Sequence, residues 1–170
     1  LTEFEMKGSP LVVDIDSDGS KEIIFGDNSG RVNVLTSSGS VYGDGVFPYQ
    51  TGDQIWASPA AADLNNDGTV EFAIGSKDKS LYIFDYNGLV SQYYSDSWLM
   101  ATPVIGNIDG DDDLEVVVGG YSSSVKSIFA VNYDGTEAEG YPYDLGERML
   151  KGVALADFND NGIDDIVVGT

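Results

Sequence analysis

The chain contains no cysteine and no histidine, and only eight Lys and Arg stand against 29 Asp and Glu. Without cysteine there is no disulfide scaffold, no thiolate metal site and no cysteine nucleophile. Without histidine, and with no base near any Ser or Thr in sequence, general acid–base and nucleophilic catalysis lack their usual parts, so this segment is expected not to be an enzyme, whatever further domains do. The shortage of positive charge gives a net charge of −21. Such a surface repels phosphate backbones and anionic headgroups, so neither nucleic acid nor membrane insertion is expected. No apolar run reaches the ~18 residues that span a bilayer, and no signal peptide is visible. Because the chain opens at Leu1, it is expected to be a piece of a longer secreted precursor.

The acid is concentrated in a nine-residue loop that recurs four times, each copy running into a short apolar strand that ends in glycine. The copies are 14–22 (DIDSDGSKE), 63–71 (DLNNDGTVE), 107–115 (NIDGDDDLE) and 157–165 (DFNDNGIDD), followed by strands that end at Gly26, Gly75, Gly119 and Gly169. Their first positions lie 49, 44 and 50 residues apart. A period of that length signals stacked supersecondary units. Oxygen side chains at positions 1, 3, 5 and 9 are what a hard divalent cation needs.

Each period reads as four antiparallel strands. Segments of small residues precede the loops (8–13, 57–62, 101–106 and 151–156), as crowded innermost strands require, with Pro10, Pro59 and Pro103 at their starts, where a missing N–H does least harm. The run after the loop is the second strand, too short and too β-branched for a helix. Third strands are expected over 31–35, 80–84 and 125–131, and turns at Ser38-Gly39, Asn87-Gly88 and Asp134-Gly135 reverse the chain into an outer fourth strand. Four such strands make one propeller blade. The expectation is an all-β chain forming a single propeller arc over 1–170, with blades near 8–56, 57–100 and 101–150, a partial blade at 151–170, and 1–7 as the outer strand of a preceding blade. Propellers close with 4–8 blades, so the arc is expected to complete its ring with the remainder of its own propeller or with a neighbouring chain.

The unit, Ser-Pro before the inner strand, then Asp-x-[Asp/Asn]-x-[Asp/Asn]-Gly-x-x-[Glu/Asp], then an apolar strand closing on Gly, resembles the FG-GAP and VCBS repeats, which build the head of integrin α subunits and many bacterial secreted and surface proteins. The resemblance runs over residues 8–170. It implies that each loop joins the first and second strands of a blade and holds Ca²⁺, up to four ions in all. The ligands it implies are Asp14, Asp16, Asp18 and Glu22; Asp63, Asn65, Asp67 and Glu71; Asn107, Asp109, Asp111 and Glu115; and Asp157, Asn159, Asn161 and Asp165. The carbonyls of Ser20, Thr69, Asp113 and Ile163 would complete the shells. The third copy departs from the pattern, because Asp112 replaces the glycine at position 6, a position expected to need left-handed geometry.

An EF-hand loop is the rival reading, but it has twelve positions with Glu at the last and helices alongside, whereas here the acid is at position nine and a β-strand follows. Asx-rich turns without metal are the bland alternative. A second constellation lies seven and eight residues before each loop: Met6 and Lys7, Ile55 and Trp56, Leu99 and Met100, Met149 and Leu150, with Trp98 adjacent. These residues either pack blade against blade or, with Trp56, Trp98, Tyr93 and Tyr94, form a recognition surface opposite the loops for a protein or glycan ligand. The functional expectation is a calcium-binding, non-catalytic interaction or adhesion module, extracellular, at the cell surface or in the periplasm, where free Ca²⁺ is near millimolar. The alternative is the accessory propeller of a secreted hydrolase such as a peptidase, or of a polysaccharide lyase.

Overall fold

The computed structural model describes residues 4–124 and 127–169, and no helix occurs among them. Fourteen strands form three four-stranded antiparallel sheets and one pair. The first sheet holds β1 (Leu11–Val13), β2 (Glu22–Gly26), β3 (Arg31–Leu35) and β4 (Tyr49–Gln50). The second holds β5 (Ala60–Ala62), β6 (Glu71–Gly75), β7 (Ser80–Asp85) and β8 (Gly88–Tyr94). The third holds β9 (Val104–Gly106), β10 (Glu115–Gly119), β11 (Ser127–Val131) and β12 (Tyr143–Asp144), and β13 (Ala154–Ala156) pairs with β14 (Asp165–Val167). Strand order follows sequence order in every sheet, so each is an up-and-down blade, and the chain is three full blades plus part of a fourth. Residues 4–7 run as irregular chain rather than as an outer strand, and 1–3 lie outside the described residues. The first two positions of the expected third strand at 125–131 also lie outside them.

The inner strands β5, β9 and β13 are neighbours from one blade to the next, which is why Ala, Gly and Val occupy them. The period-two alternation of the second strand splits its side chains between two cores. Phe72 and Ile74 face the first blade, joining Ile24, Val32, Val34 and Phe84, whereas Ala73 faces the third with Leu81, Val116, Val118 and Phe129. Phe72 and Phe84 stack with centroids 5.1 Å apart. Each fully buried Phe or Ile supplies roughly 1.5–3 kcal/mol.

The glycine that closes each second strand has a steric purpose. A Cβ on Gly26 would lie 2.0 Å from Ile55 Cγ2, one on Gly75 would lie 2.6 Å from the Leu99 carbonyl, and one on Gly119 would lie 2.7 Å from Met149. Ile55, Leu99 and Met149 are fully buried residues of the strap leading into the next blade. Backbone bonds fix the strap: Ile55 N–H to Asp27 O (3.1 Å), Leu99 N–H to Ser76 O (3.1 Å) and Met149 N–H to Gly120 O (3.0 Å). Ile55, Leu99 and Met149 thus pack blade against blade, whereas Leu150 and Trp98 are exposed and Trp56 is half-buried.

The outer strands are unequal. In the second blade the turn at Asn87-Gly88, with Gly88 at φ 129, leads straight into β8. In the first and third blades the turn yields only an isolated bridge (Leu35 with Val41, Val131 with Glu137) before the chain leaves the sheet and returns as two residues. Pro48 and Pro142, just before β4 and β12, have no N–H to give a ladder, and Gly43, Gly45 and Gly140 take positive φ in the excursions.

Candidate metal centre

Every acidic loop joins an inner strand to the second strand of its blade, so its two ends are fixed by a strand pair. Position 9 is the first residue of the second strand and is in register with the last residue of the inner one: Glu22 with Val13, Glu71 with Ala62, Glu115 with Gly106, Asp165 with Ala156. One oxygen of that carboxylate accepts the backbone N–H of position 2, from Ile15 (3.2 Å), Leu64 (2.9 Å), Ile108 (2.9 Å) and Phe158 (3.2 Å). Ile15 and Leu64 are fully buried and pin their loops to the core, whereas Phe158 is exposed.

Inside the loop a cascade of side-chain acceptors winds the chain around a common centre. Position 5 accepts the N–H of position 7: Ser20 to Asp18 (2.6 Å), Thr69 to Asp67 (2.8 Å), Asp113 to Asp111 (2.9 Å) and Ile163 to Asn161 (2.8 Å). Position 1 accepts the N–H of the position-6 glycine in three loops: Gly19 to Asp14 (2.9 Å), Gly68 to Asp63 (2.9 Å) and Gly162 to Asp157 (2.8 Å). Those glycines have φ near +90, and position 4 is also left-handed at Ser17, Asn66 and Asp160. Position 3 turns inward as well, with Asp16 and Asn65 accepting from Asp18 and Asp67.

The third loop is wound differently. Its left-handed residue is Gly110 at position 4 (φ 88), and Asp112 at position 6 is not left-handed. The expectation that Asp112 adopts such geometry is therefore corrected. Asn107 at position 1 closes the loop one turn earlier, accepting from Gly110 N–H at 2.8 Å and donating to Asp111 O at 2.5 Å.

In the first and third loops the oxygen donors converge. Carboxylate oxygens of Asp14, Asp16 and Asp18 lie within 4.8 Å of one another, as do those of Asp109, Asp111 and Glu115. The second and fourth loops mix amides with acids, through Asn65 and through Asn159 and Asn161, and share the winding of the first. Glu22, Glu71 and Glu115 are each no more than 2% exposed, and the ion pairs among the described residues, Lys7 with Glu5 and Lys79 with Asp96, lie elsewhere. Burial, then the charges of Asp109, Asp111 and Asp113, push the Glu115 carboxyl up to about 7 against the opposing Ile108 N–H. Burial is also the leading cause that raises Glu22 and Glu71. A buried carboxylate must be compensated by a proton, a donor or a cation. Asp14 Oδ1 is buried with no hydrogen-bond partner, and it stands in this all-oxygen set. The residues present fit a hard, oxygen-seeking divalent ion.

One supporting residue was not legible in the sequence. Tyr42 donates its hydroxyl to Asp16 Oδ2 at 2.8 Å, and burial together with that bond raises its pKa. It sits on the excursion after the Ser38-Gly39 turn, where no spacing singles it out. Neighbouring loops are also stitched together, by Leu114 N–H to Leu64 O (2.9 Å), Asp164 N–H to Asn107 O (2.7 Å) and Asn66 Nδ2 to Asp112 O. Of the aromatic positions, Tyr93 turns into packing, its ring against Phe129 and its hydroxyl on Glu137, whereas Tyr94 and Trp98 are exposed and Trp56 is half-buried.

Comparison with known proteins bears on the repeat and on the fold. Residues 14–74, which hold the first two loops, match the family model of the FG-GAP-like repeat. Among solved structures the chain is similar to the C-terminal domain of PilY1 from Pseudomonas aeruginosa (18% identity, 86% of this chain and 35% of that one, TM-score 0.59). It is also similar to BBS1N, solved in complex with ARL6DN (17%, 96% and 45%, TM-score 0.57), and to BamB from Moraxella catarrhalis (20%, 82% and 38%, TM-score 0.52). These likenesses show the propeller-type fold, and the chain spans less than half the length of each. No curated protein matches the sequence.

Proposed function

We propose that this chain is an arc of a calcium-dressed propeller that serves outside the cell as a non-catalytic interaction or adhesion module. The observation that carries the reading is the set of buried position-9 carboxylates, Glu22, Glu71 and Glu115, facing acid-rich loops that neither of the described ion pairs reaches. Bound Ca²⁺ would take oxygens from positions 1, 3, 5 and 9 and the carbonyl of position 7 at about 2.3–2.6 Å. Sites of this ligand count suit the near-millimolar calcium found outside cells. Absence of histidine and cysteine, and loops whose acids serve the cation, support the non-catalytic reading.

Calorimetric titration of metal-free protein tests the metal: saturable binding of up to four ions and a higher melting temperature are expected, and an unchanged melting curve in chelator would reduce the loops to turns. Arrays of proteins and glycans, probed in calcium with a chelator control, test the module. Turnover of a peptide or glycan by this segment would overturn the non-catalytic assignment.

A further inference from the structure

The ends of the sheets opposite the acidic loops carry a row in which aromatic rings and cations alternate. Lys77 Nζ lies 4.5 Å from the centroid of Trp56 and 5.0 Å from that of Trp98. Gln54 Oε1 holds both partners, accepting from Lys77 at 3.1 Å and from Trp56 Nε1 at 3.0 Å. Trp98 then stacks on Tyr121, centroids 6.4 Å apart and planes 13° from parallel, and the Arg148 guanidinium lies 5.5 Å from the Tyr121 centroid. Trp56, Trp98 and Arg148 belong to the straps between successive blades, so the row touches three blade boundaries. Beside it opens a cleft of about 360 Å³ lined by Lys79, Asp96, Trp98, Tyr121 and Arg148.

Two features point to a ligand. Three of the chain's eight Lys and Arg gather on this row although the net charge is −21, and Trp98 keeps 43% of its surface in water. Trp98 packs between Tyr121 and Lys77, so what it offers a ligand is the part of the ring left exposed beside the cleft, and the cations there favour an acid able to replace Asp96 on Lys79. Charges beyond about 8 Å are screened at physiological salt, so a ligand on the row meets Lys79 and Arg148 before it meets the distant loops. Three cations are too sparse for a nucleic-acid strand, which carries a phosphate about every 3.4 Å. A chain of pyranose rings, each with an apolar C–H face and a carboxylate at intervals, matches this chemistry.

We infer that this row binds an acidic polysaccharide in the cleft, a sugar ring against the exposed part of Trp98 and its carboxylates on Lys79 and Arg148. The inference deepens the interaction-module reading and rests on it. Asp96, 3.4 Å from Lys79, is the carboxylate that the ligand displaces.

Both tryptophans of the chain stand on the row, so their emission reports it. Titration of the intact, calcium-loaded chain with oligogalacturonate should change that emission saturably. Trp98→Ala and Arg148→Gln should each weaken binding about tenfold, as loss of an anchoring contact does, Trp98→Tyr should restore most of it, and Asp96→Asn should tighten it, all with unchanged melting curves. Silence toward oligogalacturonate overturns the proposal, and so does an equal response to a neutral cello-oligosaccharide, to polyglutamate or to oligothymidylate. A response to polyglutamate alone would keep the interaction module and discard the glycan. Calcium titration reads only the loops, so the metal reading stands or falls separately.

Discussion

The first and third acidic loops share a length and an acid-rich pattern, yet they are not the same structure. In the first, Asp14 reaches forward five residues to the N–H of Gly19, which leaves Asp14 Oδ1 buried and unpartnered in the centre. In the third, Asn107 reaches three residues to Gly110, and its amide nitrogen is spent on Asp111 O. Both loops are left-handed at position 4, at Ser17 and at Gly110, and they part at position 6, where Gly19 takes positive φ and Asp112 does not. What both loops retain is the strand-anchored glutamate at position 9, Glu22 or Glu115, with its grip on position 2. The donor set is thus preserved through its strand anchor while the path of the loop varies.

The largest expected effect removes what the loops have in common. Chelation should lower the melting temperature, since a site saturated a hundredfold above its Kd contributes about 2.7 kcal/mol and 1 kcal/mol shifts a chain of this size by roughly 2–4 °C. Thermal scans in calcium and in chelator measure this, and coincident curves would refute it.

The next effect separates the windings. Gly68→Ala, at φ +91, should cost about 1–2 kcal/mol through left-handed strain, whereas Asp112→Ala at the equivalent position of the third loop should stay within about 0.5 kcal/mol. Asp112→Gly should fail to stabilise the protein. Denaturant unfolding of the three variants decides it, and a strong gain from Asp112→Gly would restore the shared winding.

A third test uses acid. The metal-free Glu115 carboxyl titrates at about 7 against an ordinary 4.5, so the native state binds a proton that the unfolded state has lost. Stability of the metal-free protein should therefore be greatest below pH 4.5 on this group's account and fall as pH rises through 7. Calcium should abolish the fall, and Glu115→Gln should flatten it. Melting temperatures between pH 4.5 and 7.5, with and without calcium, check the sign.

The smallest difference concerns affinity. Site one, with four acids among its donors, should bind calcium more tightly than site four, where Asn159 and Asn161 replace acids. Titration of single-site knockouts ranks them, and a tighter site four would show that loop path outweighs charge.

Much of this was legible before any coordinates. The blade order, the second strands and the anchoring acids at Glu22, Glu71, Glu115 and Asp165 follow from a repeat in which oxygen donors and apolar runs keep fixed spacing, because strand alternation and donor number are properties of local sequence. The glycines Gly26, Gly75 and Gly119 were visible as endings. Their reason was not, since it lies in Ile55, Leu99 and Met149 from the next strap.

Sequence by itself determined an all-β repeat with four acidic loops, since hydrophobic period and turn chemistry act within a few residues. Tertiary structure alone decided that Asp112 avoids left-handed geometry, that the outer strands of the first and third blades shrink to two residues, and that Tyr42 supports Asp16. It also brought Trp56, Lys77, Trp98, Tyr121 and Arg148, up to 92 residues apart, into one row. The physical reason is that contacts between blades depend on how separate sheets dock, and no local propensity encodes that docking.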